Sequence, residues 1–297
     1  MDIPLGPIYA ILTAFFFAAG QVIVRRSTHE SGESFTAVIV SLLIGTPLFM
    51  IAVMISGEWD TVWALKGWQY GLLAAAGIIH FIIARYLFFS STRLIGANIT
   101  IAITRTSTIF AVVFGVLFLG ETVTWQQVGG ALLIMVGAVI TGVDISRKAL
   151  KVVSTRGLLL SLGTAIGATS SALLIRPVME VNDAVYAATF VSYISAFAVI
   201  IGLLLVRVDQ RKHLRHVSMR NLLIMTPAAI ALVVGHVCRF SALKYSPVSI
   251  AQPLMATVVI FTLLLSWMLN RRIDVFHWRV ILGIVMVLAG VFLVSGF

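Results

Sequence analysis

A chain of 297 residues that is 60% hydrophobic and only 11% charged is excluded from the soluble classes. Its formal net charge of +10 points to anionic lipid headgroups, because the cations collect in short loops between apolar runs; nucleic acid is not the expected partner. The single cysteine, Cys238, lies inside an apolar run and offers neither a disulfide framework nor a metal cluster, and no cofactor motif is present.

Apolar runs near the roughly 20 residues that cross a hydrocarbon core predict ten transmembrane helices. These spans 1 to 10 fall at about 5–25, 35–56, 67–90, 96–119, 124–143, 156–176, 184–206, 218–241, 248–270 and 275–296. The first run lacks a basic leader, and Arg25 and Arg26 stand where a cleavage site would be, so it is expected to remain as span 1. Neither the linker Asp144 to Thr155 nor the connection Arg207 to Arg220 is long enough for a soluble domain.

The chain repeats itself. RYLFFSSTRLIGANITIAI from Arg85 aligns with RFSALKYSPVSIAQPLMAT from Arg239, pairing Asn98 with Gln252. One residue of slip then pairs Glu121 with Asp274, Trp125 with Trp278, Gly130 with Gly283 and Gly137 with Gly290, while Gly6 and Arg25 match Gly157 and Arg176 at a separation of 151. A unit with five crossings ends on the side opposite its start, so the second copy must be upside down. The predicted fold is an all-α membrane protein of ten transmembrane helices in two inverted five-helix repeats, 1–143 and 156–297, joined by a basic linker at 144–155. Inverted repeats place a substrate site near the midplane between the halves and support alternating access. Both repeats lie in one chain, so a monomer is sufficient, and a dimer is compatible.

Cytoplasmic loops are enriched in Lys and Arg. The loops after the odd-numbered spans hold fifteen basic residues and the other side three, Lys66, Arg176 and Lys244. On that count the odd loops face the cytoplasm of a cell-membrane protein and both termini lie outside.

The run GANITIAITRTSTIFAVVFGVLFLGETVTWQQVGGALLIMVGAVI resembles the second half of the EamA unit of the drug/metabolite transporter superfamily, through Gly96, Ala97, Gly120, Glu121, Thr124, Gln127, Gly130 and Gly137. The resemblance covers essentially the whole chain. It implies a non-enzymatic carrier, often an exporter of amino acids or related metabolites, with a cavity lined by spans 1 to 4 and 6 to 9. It also implies cytoplasmic termini, the reverse of the charge count.

Polar residues inside spans carry the functional expectations, because ionisable groups in hydrocarbon are costly and usually face a cavity or a partner. Arg105 lies ~13 Å into span 4 when counted at ~1.5 Å per residue, on one helical face with Asn98, Ala102 and Thr108. No carboxylate falls within a span to neutralise it, so a substrate anion and a snorkelling structural role are the two readings. Gln21, Asn98, Tyr193 and Gln252 are candidate orienting groups, and Gln252-Pro253 is expected to loosen the first turns of span 9. Arg85 and Arg239 are candidate gates or snorkelling anchors, with His80 and His236 the candidates for proton coupling. Gly129, Gly130, Gly137, Gly283 and Gly290 read as helix-packing glycines, and Glu121 and Asp274 as caps for the helices that follow them. The expected function is transport of a small anionic or zwitterionic metabolite. The alternatives are export of cationic drugs, which would want an intramembrane carboxylate, and handling of a lipid-linked phosphate.

Overall fold

A computed structural model of the protein describes residues 5–27, 34–95, 97–142, 154–206, 219–269 and 278–295. The linker at 144–153 and Asp274 lie outside them, as do the side chains of Arg25 and Asn98, whose backbones are helical. The first half comprises α1 (Leu5–Ser27), α2 (Ser34–Ser56), a short α3 (Trp59–Ala64), α4 (Gly67–Gly77), a π-helical segment (Ile78–Ala84), α5 (Arg85–Ile95), α6 (Ala97–Thr104), α7 (Ser107–Leu119) and α8 (Trp125–Gly142). The second comprises α9 (Thr155–Val181), α10 (Val185–Val206), α11 (Met219–Tyr245), α12 (Val248–Met255), α13 (Val258–Leu269) and α14 (Trp278–Ser295). Eight stretches are long and apolar enough to cross a membrane, and the shorter apolar helices at Ser41–Ser56 and Trp125–Thr141 bring the set to the expected ten. The end bearing the loops after odd-numbered spans is called the basic end below, and the other the distal end.

The halves exchange partners. α1 packs on α11, and α9 packs on α4, the π segment and α5, so the first span of each half lies against the third span of the other. α2 faces α10, α7 faces α12 and α8 faces α14. Gly6 and Gly157 serve this exchange equivalently: a Cβ on Gly6 would collide with Ser246 at the end of α11, and one on Gly157 with Ile95 at the end of α5.

The α8–α14 seam shows the inversion directly. A Cβ added to Gly130 would lie 2.8 Å from the carbonyl oxygen of Gly290, and one on Gly137 would lie 2.6 Å from that of Gly283. Low numbers meet high ones, so the two helices run antiparallel, and in lipid such close backbone approach is a main source of association. Gly129 is an exception to the packing expectation: a Cβ there meets nothing within 4 Å. It is adjacent to Gly130, and successive positions on a helix point about 100° apart.

Helix bounds give a register different from the sequence alignment. α6 and α12 begin 151 residues apart, at Ala97 and Val248, and α7 and α13 begin 151 apart, at Ser107 and Val258. This sets Asn98 opposite Ser249, and Arg85 opposite His236, in place of Asn98 with Gln252 and Arg85 with Arg239. The alignment is three residues out, close to one helical turn of 3.6; such a slip preserves the apolar face, so hydrophobic matching does not penalise it.

The acidic caps also differ from expectation. Gly120 ends α7 in the left-handed region at φ 65°, a conformation that favours glycine. The turn carries Glu121 away from its own next helix and across to the other half, where its carboxylate accepts the N–H groups of Val248 at 2.6 Å and Ser249 at 2.9 Å. Thr124 caps α8 instead: its hydroxyl accepts the Gln127 N–H at 3.2 Å, and the Gln127 side chain accepts the Thr124 N–H at 2.9 Å. Similarly, Glu58 accepts the Ala187 N–H at 2.9 Å in the first turn of α10.

Gly290→Ala and Gly137→Ala are expected to lower stability by about 1–3 kcal/mol, since each Cβ meets a backbone oxygen that can move only if the helices part. Gly129→Ala should be neutral or slightly stabilising. Thermal unfolding of the three variants in detergent checks this, and equal losses in all three would remove the seam as the cause.

Candidate functional site

Two histidines from different halves meet in the interior. The π segment presents His80 and Phe81; such widened turns occur mostly within α-helices and frequently at functional sites. α11 presents His236 and, three residues on, Arg239, each only 2% exposed. The imidazoles lie edge to face with centroids 5.4 Å apart. Phe17 and Phe81 each approach His236 to 4.8 Å, and Tyr193 stacks at a tilt on Phe81 at 4.3 Å and on Phe49 at 4.6 Å. The Tyr193 hydroxyl donates to the Ser41 carbonyl at 3.0 Å, tying α10 to α2.

Two guanidinium groups flank this cluster, and both imidazoles lie within the electrostatic reach of Arg85 and Arg239. Arg85 lies 5.4 Å from the Phe81 ring and donates to the Ser41 hydroxyl at 2.5 Å. Arg239 reaches α9 weakly, its Nη2 standing 3.4 Å from both the Ala168 carbonyl and the Ser171 hydroxyl. Its Nη1, and the Nδ1 atoms of His80 and His236, are buried without a hydrogen-bond partner among the described residues. The five described carboxylates, Glu58, Asp60, Glu121, Glu180 and Asp183, all belong to distal-end segments. Glu180 pairs with Arg176 and Asp183 with Lys244, each at 2.8 Å, and among the described residues no carboxylate pairs with an interior cation.

The remaining predicted residues are dispersed. Arg105 sits where span 4 breaks, in the two-residue turn between α6 and α7, so the continuous helical face expected through Asn98, Arg105 and Thr108 is interrupted. Its Nε and the Thr108 hydroxyl are buried without partners among the described residues. Among the described residues no hydrogen bond or ring contact joins Arg105 to the histidine cluster. Gln21 is exposed towards the basic end of α1, and Gln252 is partly buried in α12 just before Pro253. The loosening attributed to Pro253 falls a few residues further on, at Ala256–Thr257, where the Ala256 N–H is shared between the Gln252 carbonyl at 3.3 Å and the Pro253 carbonyl at 3.0 Å. Sequence reasoning missed the clustering of Phe17, Phe49 and Phe81 around the histidines; among 18 phenylalanines nothing marked these three.

An apolar cleft of about 180 Å³ opens between α2 and α10 towards the basic end, lined by Ile39, Leu43, Phe197, Ile201 and Leu204 among others. At the distal end the same two spans are tied through Glu58 and Ala187.

Ten apolar helices in exchanged, antiparallel halves around a polar interior define a polytopic membrane protein of the transporter type. The profile of the EamA-like transporter family matches residues 4–143 and again residues 155–296. The chain therefore belongs to the EamA-like transporter family, within the drug/metabolite transporter superfamily, and is a membrane transporter. A solved crystal structure that is 13% identical superposes with a TM-score of 0.75, covering 98% of this chain and 97% of that one, a likeness of fold. No curated protein matches the sequence.

A buried charge lacking a counter-ion is a stability cost. Arg239→Met should therefore leave thermal stability unchanged or raise it, by about 1–2 kcal/mol, as thermal unfolding in detergent would show. A clear fall in stability would instead make Arg239 a structural strut through Ala168 and Ser171.

Proposed function

We propose that the protein is an alternating-access carrier of a small metabolite bearing a negative group, an amino acid or another anionic or zwitterionic compound. One observation carries this reading: Arg85 and Arg239 flank His80, His236 and Tyr193 inside the membrane while the described carboxylates belong to distal-end segments. Low dielectric strengthens an ionic contact there, and a substrate anion would supply the missing counter-charge. Tyr193 and the histidines would orient the remainder, with Phe17, Phe49 and Phe81 offering an apolar wall. Arg105 is a second anion-binding candidate at the break in span 4, and Gln21, Asn98 and Gln252 are secondary contacts. His80 and His236 are the candidates for moving a proton with the substrate.

Export of cationic drugs is disfavoured by the same two guanidiniums. We place the basic end in the cytoplasm of the cell membrane, with anionic headgroups at its loops, and both termini outside.

Thermal stabilisation with amino acids, carboxylates, nucleotides and cationic dyes tests the substrate class. A ligand at a hundred times its Kd adds about 2.7 kcal/mol, so an anionic or zwitterionic ligand should raise the melting temperature of the wild type and not of Arg239→Ala. Loss in Arg105→Ala alone would move the anion site to the helix break. A response to cationic dyes only would overturn the anion reading.

A further inference from the structure

We propose that Glu121 is the latch that holds the distal face shut, and that it acts by capping the first half of a broken helix in the opposite repeat. The proposal rests on the alternating-access reading but not on the identity of the substrate.

The contact is built for the task. Gly120 supplies a left-handed turn, and Gly115 supplies the space, since a Cβ there would collide with the Glu121 carboxylate. Both carboxylate oxygens are used, one on Val248 N–H and one on Ser249 N–H, at the amino end of α12 where the helix dipole is positive. α12 is only eight residues long and ends in the turn at Ala256–Thr257, so it is a separate rigid piece held from its outer end. It touches α1 and α7 of the first half. Opening the distal face requires α12 to leave these neighbours, and the two N–H groups must then give up the carboxylate.

Nearby contacts point the same way. Arg176 donates to the carbonyls of Leu243 at 2.6 Å and Lys244 at 2.8 Å, finishing α11 immediately before α12. Tyr9 of α1 stacks on Tyr245 with centroids 5.9 Å apart. Between the halves the distal end is thus held by the Glu121 carboxylate on α12, the Glu58 carboxylate on the Ala187 N–H and the Tyr9–Tyr245 stack, while Arg176 braces α11 within the second half. Of the two latch partners, the carboxylate is the one a substitution can weaken without touching the helix it holds.

Glu121→Gln keeps the shape and removes the charge, and hydrogen bonds to an ionised acceptor are roughly twice as strong as neutral ones. In a Cys238→Ala background, spin labels on the exposed sites Phe118 and Val181 report the distal end, and labels on Leu94 and Val206 report the basic end. Glu121→Gln and Glu121→Ala should shift the ratio of the two states roughly tenfold, lengthening the distal distance while shortening the basic one. Opposite movements at the two ends cannot come from general loosening. Unchanged distances in both folded variants, or lengthening at both ends together, would overturn the latch. Arg239→Ala should keep wild-type distances; if it transports normally while Glu121→Gln still shifts the distances, the substrate site is wrong and the latch stands.

Discussion

Lipid offers no hydrogen bonds, so each interruption of a membrane helix exposes backbone groups that the protein itself must satisfy. Among the described residues two spans are interrupted, at Arg105–Thr106 and Ala256–Thr257, and each break is bridged by its own backbone, the Thr106 N–H donating to the Ile103 carbonyl at 3.0 Å and the Thr257 N–H to the Leu254 carbonyl at 3.1 Å; the helix ends at the distal face take their partners from elsewhere. The amino end of α12 takes the Glu121 carboxylate, the carboxyl end of α11 takes the Arg176 guanidinium, and the first turn of α10 takes Glu58. Two of these three contacts cross between halves. Satisfying the backbone and joining the repeats are therefore one act.

The exchange of partners explains why the interior can be polar at all. With α1 on α11 and α9 on α4 and α5, neither half has a complete interior of its own. The histidines, Tyr193 and the two guanidiniums come from α11, α10, the π segment and α5, and they meet only because the halves interlock. Apolar rings occupy most of the space around them. Such a setting keeps water away and leaves the charges strongly felt.

Much of this was legible in the sequence, for reasons that differ by residue. Ten apolar runs and an odd crossing number fix the inverted plan, and the seam glycines at Gly130, Gly137, Gly283 and Gly290 stand out because small residues recur at helical spacing. The Thr124–Gln127 capping box lies in four consecutive residues and could have been read locally. Glu121 could not, since its partner is 127 residues away in sequence. Depth counted along an unbroken helix singles out Arg105, whereas Arg239 sits near the end of its predicted span yet is 2% exposed, covered by a helix from elsewhere in its half. The aromatic wall left no signal because phenylalanine is common throughout.

The antiparallel seam between α8 and α14 also bears on how the protein is made. Gly290 is synthesised 160 residues after Gly130, so α8 enters the bilayer with its glycine face bare and waits for most of translation. During that interval the bare face is a ready contact for any other helix in the membrane with small residues on one side. Biogenesis thus contains a window of vulnerability that closes only when α14 is inserted, and a ribosome stalled before then leaves a half-built chain with that glycine face uncovered.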